Sequence, residues 1–190
     1  MANVTRSQAS TMLTALGWRT NTAARLTQAI KDFQRMWNLG TALSVDGIIG
    51  PKTSEALRLS YARRKQGKSD ISAHFSAREF ACKCGGRYSG CRRIWTTRAA
   101  LQLAERIRRI KGRPFTPVSG CRCTQHNRAV GGATQSKHLF GHGFDIPSSL
   151  GLTRTQARQA GALGIGYGGR TGRVIHTDTG PSRTWVYSNS

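Results

Sequence analysis

Two short segments concentrate the residues able to do chemistry: Ser136-Lys137-His138-Leu139-Phe140-Gly141-His142-Gly143-Phe144-Asp145 and the later Val174-Ile175-His176-Thr177-Asp178. His138, Asp145 and His176 offer two imidazoles and one carboxylate. That set suits a catalytic zinc rather than a structural one, because three protein ligands leave the fourth tetrahedral position open. Zinc in such a site lowers the pKa of bound water to about 7 and polarises a carbonyl, so a peptide or ester bond can be attacked without a protein nucleophile. Hydrolytic acyl transfer is the chemistry to which these residue types point.

The elements that must position them follow from periodicity. Gly141–Ile146 reads as a short strand in which alternate side chains share a face, so His142 turns away from Asp145. Arg173–Asp178 reads as a second strand with Val174, His176 and Asp178 on one face. Thr96–Lys111 is an amphipathic helix, Phe115–Ser119 a strand, Thr153–Leu163 a helix and Ser182–Tyr187 a closing strand. Helices on a mainly antiparallel sheet make an α+β fold.

Ser136, His138, Gly141 and Asp145, followed by His176, resemble the pattern Ser-x-His-x-x-Gly-x-Ala-x-Asp plus a strand His. It belongs to the zinc D,D-peptidases of bacterial cell walls, which include D-alanyl-D-alanine carboxypeptidases and VanY-type enzymes and share the hedgehog fold. Gly143 stands where Ala is usual, a departure expected mainly to add backbone freedom. Val118-Ser119-Gly120-Cys121-Arg122-Cys123 and Asn127–Gly132 are similar to the Ser-Gly-Tyr-Arg segment and Gly-Gly loop of the same enzymes, with Cys121 in place of Tyr. The resemblance covers about residues 72 to 188. It implies Zn2+ on His138, Asp145 and His176, with Ser136 and Asn127 on the substrate side. It also implies that Arg122 faces the substrate, where a guanidinium binds a carboxylate or a developing oxyanion. Relatives often place Glu or His two or three positions before the last ligand, where this chain has Val174 and Arg173. The chain has eight acidic residues, and beyond Glu105 only Asp145 and Asp178 remain. Asp178 is the expected general base, with orientation of His176 as the rival role.

The first third reads differently. Leu26, Ile30, Phe33 and Trp37 form a helical apolar stripe over Arg25–Trp37. Helices near Ser7–Leu16 and Thr53–Lys65 complete a small three-helix bundle. The intervening Asp46-Gly47-Ile48-Ile49-Gly50-Pro51-Lys52-Thr53 marks a turn followed by a helix start. With the Phe-Gln helix, this segment resembles the three-helix peptidoglycan-binding domain attached to wall hydrolases. The resemblance makes Asp46, Gly47 and Thr53 contacts for glycan or stem peptide; the alternative is that they only build the turn. The expected organisation is a binding domain over 1–62, a polar linker over 63–71 and a zinc domain over 72–190, with tethering to an insoluble polymer raising local substrate concentration.

Thirty Lys and Arg against eight Asp and Glu give a formal net charge of +22. Such a field attracts phosphate-rich wall polymers, acidic lipids and nucleic acid alike. Nucleic-acid binding is the competing class, but no base-reading motif accompanies the charge. The five cysteines are Cys82, Cys84, Cys91, Cys121 and Cys123. Relatives often carry a cysteine on each of these segments, which implies a bridge from Cys82 or Cys84 to Cys121 or Cys123 with Cys91 unassigned; a structural metal is the alternative. The first residues lack a charged start followed by an apolar core, and no run is long enough to span a bilayer. The family's habits then imply a monomeric phage endolysin released from the host cytoplasm through a holin, or a virion-borne lysin. Its partner would be bacterial peptidoglycan. The runner-up function is a wall-binding protein that keeps zinc without turnover.

Overall fold

The computed structural model describes residues 2–89, 91 and 93–188; Met1, Asn189 and Ser190, the extremes of the two expected domains, lie outside them. Three helices come first: α1 (Arg6–Leu16), α2 (Ala23–Met36) and α3 (Pro51–Lys65). A capping box between Thr5 and Gln8 starts α1, the Thr22 hydroxyl caps α2, and Pro51 sits in the first turn of α3, where its missing N–H costs nothing. Leu26, Ala29, Ile30 and Phe33 are buried along one stripe of α2, as the spacing requires. The helix begins two residues earlier than the apolar pattern because Thr22 supplies the cap.

The rest of the chain is mixed α and β. Helix α4 (Arg98–Lys111) is long and amphipathic, whereas α5 (Thr124–Ala129) and α6 (Arg154–Gln159) are single short turns. The strands β1 (Gly143–Asp145), β2 (Gly164–Gly168), β3 (Val174–Asp178) and β4 (Arg183–Tyr187) form one sheet in the order β1-β3-β2-β4. β3 pairs antiparallel with both β1 and β2, but β4 lies parallel to β2. The expected strand over Phe115–Ser119 reduces to a bridge between Ser119 and Asp145; Pro117, within it, has no N–H to donate to a ladder.

β2 had no counterpart in the sequence reading, because Gly164-Ile165-Gly166-Tyr167-Gly168 is a composition that strands avoid. Its glycines admit neighbours instead. A Cβ on Gly164 would collide with the Asp178 carboxylate, and one on Gly166 would lie 2.5 Å from the Tyr187 ring and 2.8 Å from that of Trp185. The face of β2 that carries Gly164 and Gly166 is thereby opened to functional side chains of β3 and β4.

Residues 63–71 do not form a free linker. Helix α3 runs to Lys65, and Asp70 and Ile71 are fully buried. One apolar core joins Leu13, Ile30, Phe33 and Leu57 of the N-terminal helices to Phe75, Phe80, Leu101 and Phe144. Polar ties cross the same boundary: the Trp18 indole donates to the Ile94 carbonyl at 2.9 Å, Arg98 to that of Trp37 at 2.5 Å, and Arg93 pairs with buried Asp32 at 2.8 Å. The N-terminal helices are therefore packed against the α/β part rather than tethered to it.

Candidate metal centre

The register of the sheet makes the centre. β1 and β3 pair Asp145 directly with His176, and the turn preceding β1 brings in His138. His138 Nε2 lies 3.1 Å from Asp145 Oδ1 and 3.0 Å from His176 Nδ1, and His176 Nδ1 lies 2.9 Å from the same Oδ1. Ligands at 2.0–2.1 Å in a tetrahedron stand about 3.3 Å from one another. The three donor atoms are thus spaced as a zinc ion needs them, and both imidazoles are almost completely buried.

The outer nitrogen of each ring is fixed. His138 Nδ1 is 2.6 Å from the Gly120 carbonyl, which can only accept, so Nδ1 carries the proton and Nε2 presents its lone pair. His176 Nε2 is 3.0 Å from Asp178 Oδ2. Burial pushes the Asp178 carboxyl up, but hydrogen bonds from His176, Arg183 and the Gly180 amide outweigh it and hold Asp178 below the usual carboxylate range. As an ionised acceptor, Asp178 accepts a hydrogen bond from the N–H at Nε2, which leaves the Nδ1 lone pair facing the centre. Burial lowers His176, yet its bonds to Asp145 and Asp178 raise it above an ordinary imidazole. Burial likewise opposes Asp145, which His138 and His176 nevertheless keep ionised. The centre attracts positive charge, as a metal site should.

The position of Asp178 bears on its expected role. It is fully buried behind His176, with Oδ2 also 2.5 Å from Arg183 and Oδ1 accepting from Gly180 and Arg183. It does not line the groove and reaches the centre only through the imidazole. Gly143 does not have the positive φ that would require glycine, and a Cβ there would stand 3.0 Å from His176 Cε1, a tight contact that a small shift would relieve.

A groove of about 1030 Å³ opens over the centre, lined by His138, Asp145, His176, Arg122, Ser136, Lys137, Arg183, Trp185 and Tyr187 among others. Arg122 is held by the Ser119 hydroxyl at 2.9 Å and pairs with Asp145 Oδ2. Trp185 lies 5.2 Å from the His176 ring and stacks with Arg183. Asn127 is placed behind the Gly131-Gly132 turn rather than on the groove: it is buried, and its amide donates to the Ala133 carbonyl at 2.9 Å. His142 meets Thr179 rather than the centre, and His74 pairs with Glu105.

Asp46, Gly47 and Thr53 lie far along the chain, in a turn organised by Gln34. Its side-chain amide donates to Asp46 Oδ1 at 2.9 Å, the Ile48 carbonyl at 3.0 Å and Thr53 Oγ1 at 3.2 Å, and its oxygen accepts from the Gly47 amide at 2.9 Å. The sequence reading missed Gln34; the signal was its place next to Phe33 on a helix facing the turn.

A buried two-imidazole, one-carboxylate centre at the floor of an open groove defines a metallohydrolase type of site. The chain belongs to the peptidase M15 family, whose pattern it matches over residues 73–178. It is also 29% identical over 175 residues to the zinc D-Ala-D-Ala carboxypeptidase of Streptomyces albus G, a match covering 83% of this chain and 62% of that protein. That share of the chain exceeds what residues 73–190 could supply, so the similarity reaches into the N-terminal helices. Zinc is the metal that the family and the donor set both indicate.

Proposed function

We propose that this protein is a peptidoglycan hydrolase in which His138 Nε2, His176 Nδ1 and Asp145 Oδ1 hold zinc. The observation that carries the reading is the convergence of those three atoms on the floor of the groove. Zinc there supplies a Lewis acid for a substrate carbonyl and acidifies water. The chain's own residues do the rest. The Gly120 carbonyl and Asp178 orient the two imidazoles, and Asp178 acts through His176 as a positioning residue. Arg122, anchored by Ser119, presents its guanidinium along the groove, where it can hold a peptide carboxylate or the oxygen of the carbonyl under attack. Arg183, on the same wall, is committed to the Asp178 carboxylate and so holds that positioning residue in place, and Trp185 shields His176 from bulk water. An arginine beside a metal favours a peptide with a carboxylate close to the scissile bond, which suits the stem peptide of peptidoglycan and includes the D-Ala-D-Ala linkage named for the relative.

The N-terminal helices, in this reading, hold the enzyme on the wall. Ile48 is 66% exposed on the turn that Gln34 locks, which offers an apolar contact on a rigid base. The net charge of +22 suits an anionic polymer coat. Among the described residues no helix is long and apolar enough to cross a membrane. Release from an infected host as a monomeric endolysin is the setting that best joins these features.

The test uses isolated cell walls and purified full-length protein, stripped of metal and then reloaded with zinc. Release of new amino termini that stops on stripping and returns with zinc supports hydrolysis. Zinc-loaded protein that sediments with walls but releases nothing would instead make it a wall-binding protein.

A further inference from the structure

A second cluster of metal-type donors stands apart from the groove floor. The Sγ atoms of Cys82, Cys84, Cys91 and Cys123 all lie within 4.8 Å of one another. All five cysteines are free thiols, and Cys121 is turned elsewhere: its sulfur accepts from the Trp95 amide at 3.2 Å and bonds the Thr96 hydroxyl at 3.2 Å. The bridges implied by the family habit would have joined Cys121 or Cys123 to Cys82 or Cys84 and left Cys91 over. The structure instead groups Cys91 with three others and leaves Cys121 out.

We infer that Cys82, Cys84, Cys91 and Cys123 form a closed tetrathiolate site for a structural zinc ion. Four thiolates with no open position are the donor set of structural zinc. Binding forms four Zn–S bonds and releases four thiol protons to solvent, leaving a site of net charge −2. The chain is suited to that charge: Lys83 lies between two of the ligands in sequence, Arg122 adjoins Cys123, and Arg93 is close enough to Cys91 to feel its charge. Backbone amides also face the sulfurs, with the Cys123 N–H 3.4 Å from Cys82 Sγ.

The local chain gives an independent reason for a cross-link. Residues 83–89 are turns without helix or strand, and Gly85 and Gly86 both have positive φ, 63° and 88°, curling the backbone directly after Cys84. Lys83, Arg87 and Ser89 contribute nothing to a core, and only Tyr88 packs against the cluster. Such a segment buries too little apolar surface to offset the entropy of fixing it. A metal would fix it, and would fix Cys123 as well. Cys123 caps α5 and follows Arg122, so this zinc would hold the groove wall that carries the arginine. The site is separate from the histidine centre and does not depend on the hydrolase reading.

The experiment is metal and thiol analysis of full-length protein purified anaerobically without added reductant. Wild type is expected to hold two zinc ions and, once denatured with chelator, to titrate five thiols. The double variant His138→Ala/His176→Ala should keep one zinc, and its cobalt-substituted form should show thiolate-to-cobalt charge-transfer absorption in the near ultraviolet together with the intense visible d–d bands of tetrahedral cobalt. Cys91→Ser should lose that ion and that absorption. One titratable thiol in wild type, as two disulfides would leave, overturns the inference, as does a double variant free of metal. Should Cys91→Ser fail to fold, the thiol count and the cobalt spectrum of the double variant still decide.

Discussion

The two donor clusters of this molecule use the same physical logic to opposite ends. The histidine centre is built on a paired sheet register, with three donors, buried rings and one side open to a groove of about 1030 Å³. The cysteine cluster lies in irregular chain and offers four donors with no side left over. The first is a site that secondary structure supports and chemistry can use. The second is a site that secondary structure does not support and that chemistry would have to hold together. An open centre can afford to bind metal less tightly because its scaffold stands without it; a closed one replaces the scaffold.

The comparison can be broken most sharply at His138. His138→Ala should abolish hydrolysis of cell walls while retaining one zinc per chain, read by metal analysis; loss of both ions would show that the two sites are not independent. Next in size, Asp178→Asn should weaken zinc binding at the open centre by about 10–100-fold, the usual effect of removing a residue that orients a ligand. Competition with a coloured chelator measures it. Full zinc affinity with lost turnover would return Asp178 to the role of general base. Cys91→Ser should speed proteolysis within residues 83–89 and leave the zinc at the histidine centre in place, which limited digestion and mass spectrometry would read.

Smaller effects test the scaffold. Gly166→Ala should cost about 1–3 kcal/mol, as overpacking does, because the added methyl meets the Tyr187 and Trp185 rings; a denaturant midpoint gives the value. Gln34→Ala should cost about 1–3 kcal/mol, since it leaves the buried Gly47 amide without its acceptor and Thr53 without its donor. If the turn it holds contacts the wall, cosedimentation with walls should fall with the catalytic rate on a soluble peptide unchanged.

Much of the histidine centre was legible because its ligands sit at fixed spacing in segments whose pattern is distinctive, and strand alternation already separated His142 from Asp145. The face on which Asp178 acts was harder to read. Alternation puts it beside His176, but only the tertiary contact with Arg183 and Gly180 turns its carboxylate behind the ring. The longer helices were visible from apolar stripes and caps, and their ends moved by a few residues where Thr22 or Pro51 begins a turn, whereas the six-residue α5 is too short to show a stripe and stood within an expected loop. β2 was hidden because glycines chosen for close approach erase the strand signal. The buried end of segment 63–71 was hidden because polar, basic composition describes Arg63–Lys68 but not Asp70 and Ile71, which the core takes in. The cysteine cluster depends on a chain reversal that no local pattern announces.

The most direct test of the central claim is product analysis by mass spectrometry after digestion of purified peptidoglycan with wild type and with His138→Ala/His176→Ala, zinc content being measured on the same samples. The account predicts peptide-bond cleavage by wild type alone, with glycan strands intact, and the loss of one zinc in the inactive variant. Cleavage by the variant at the wild-type rate would contradict it.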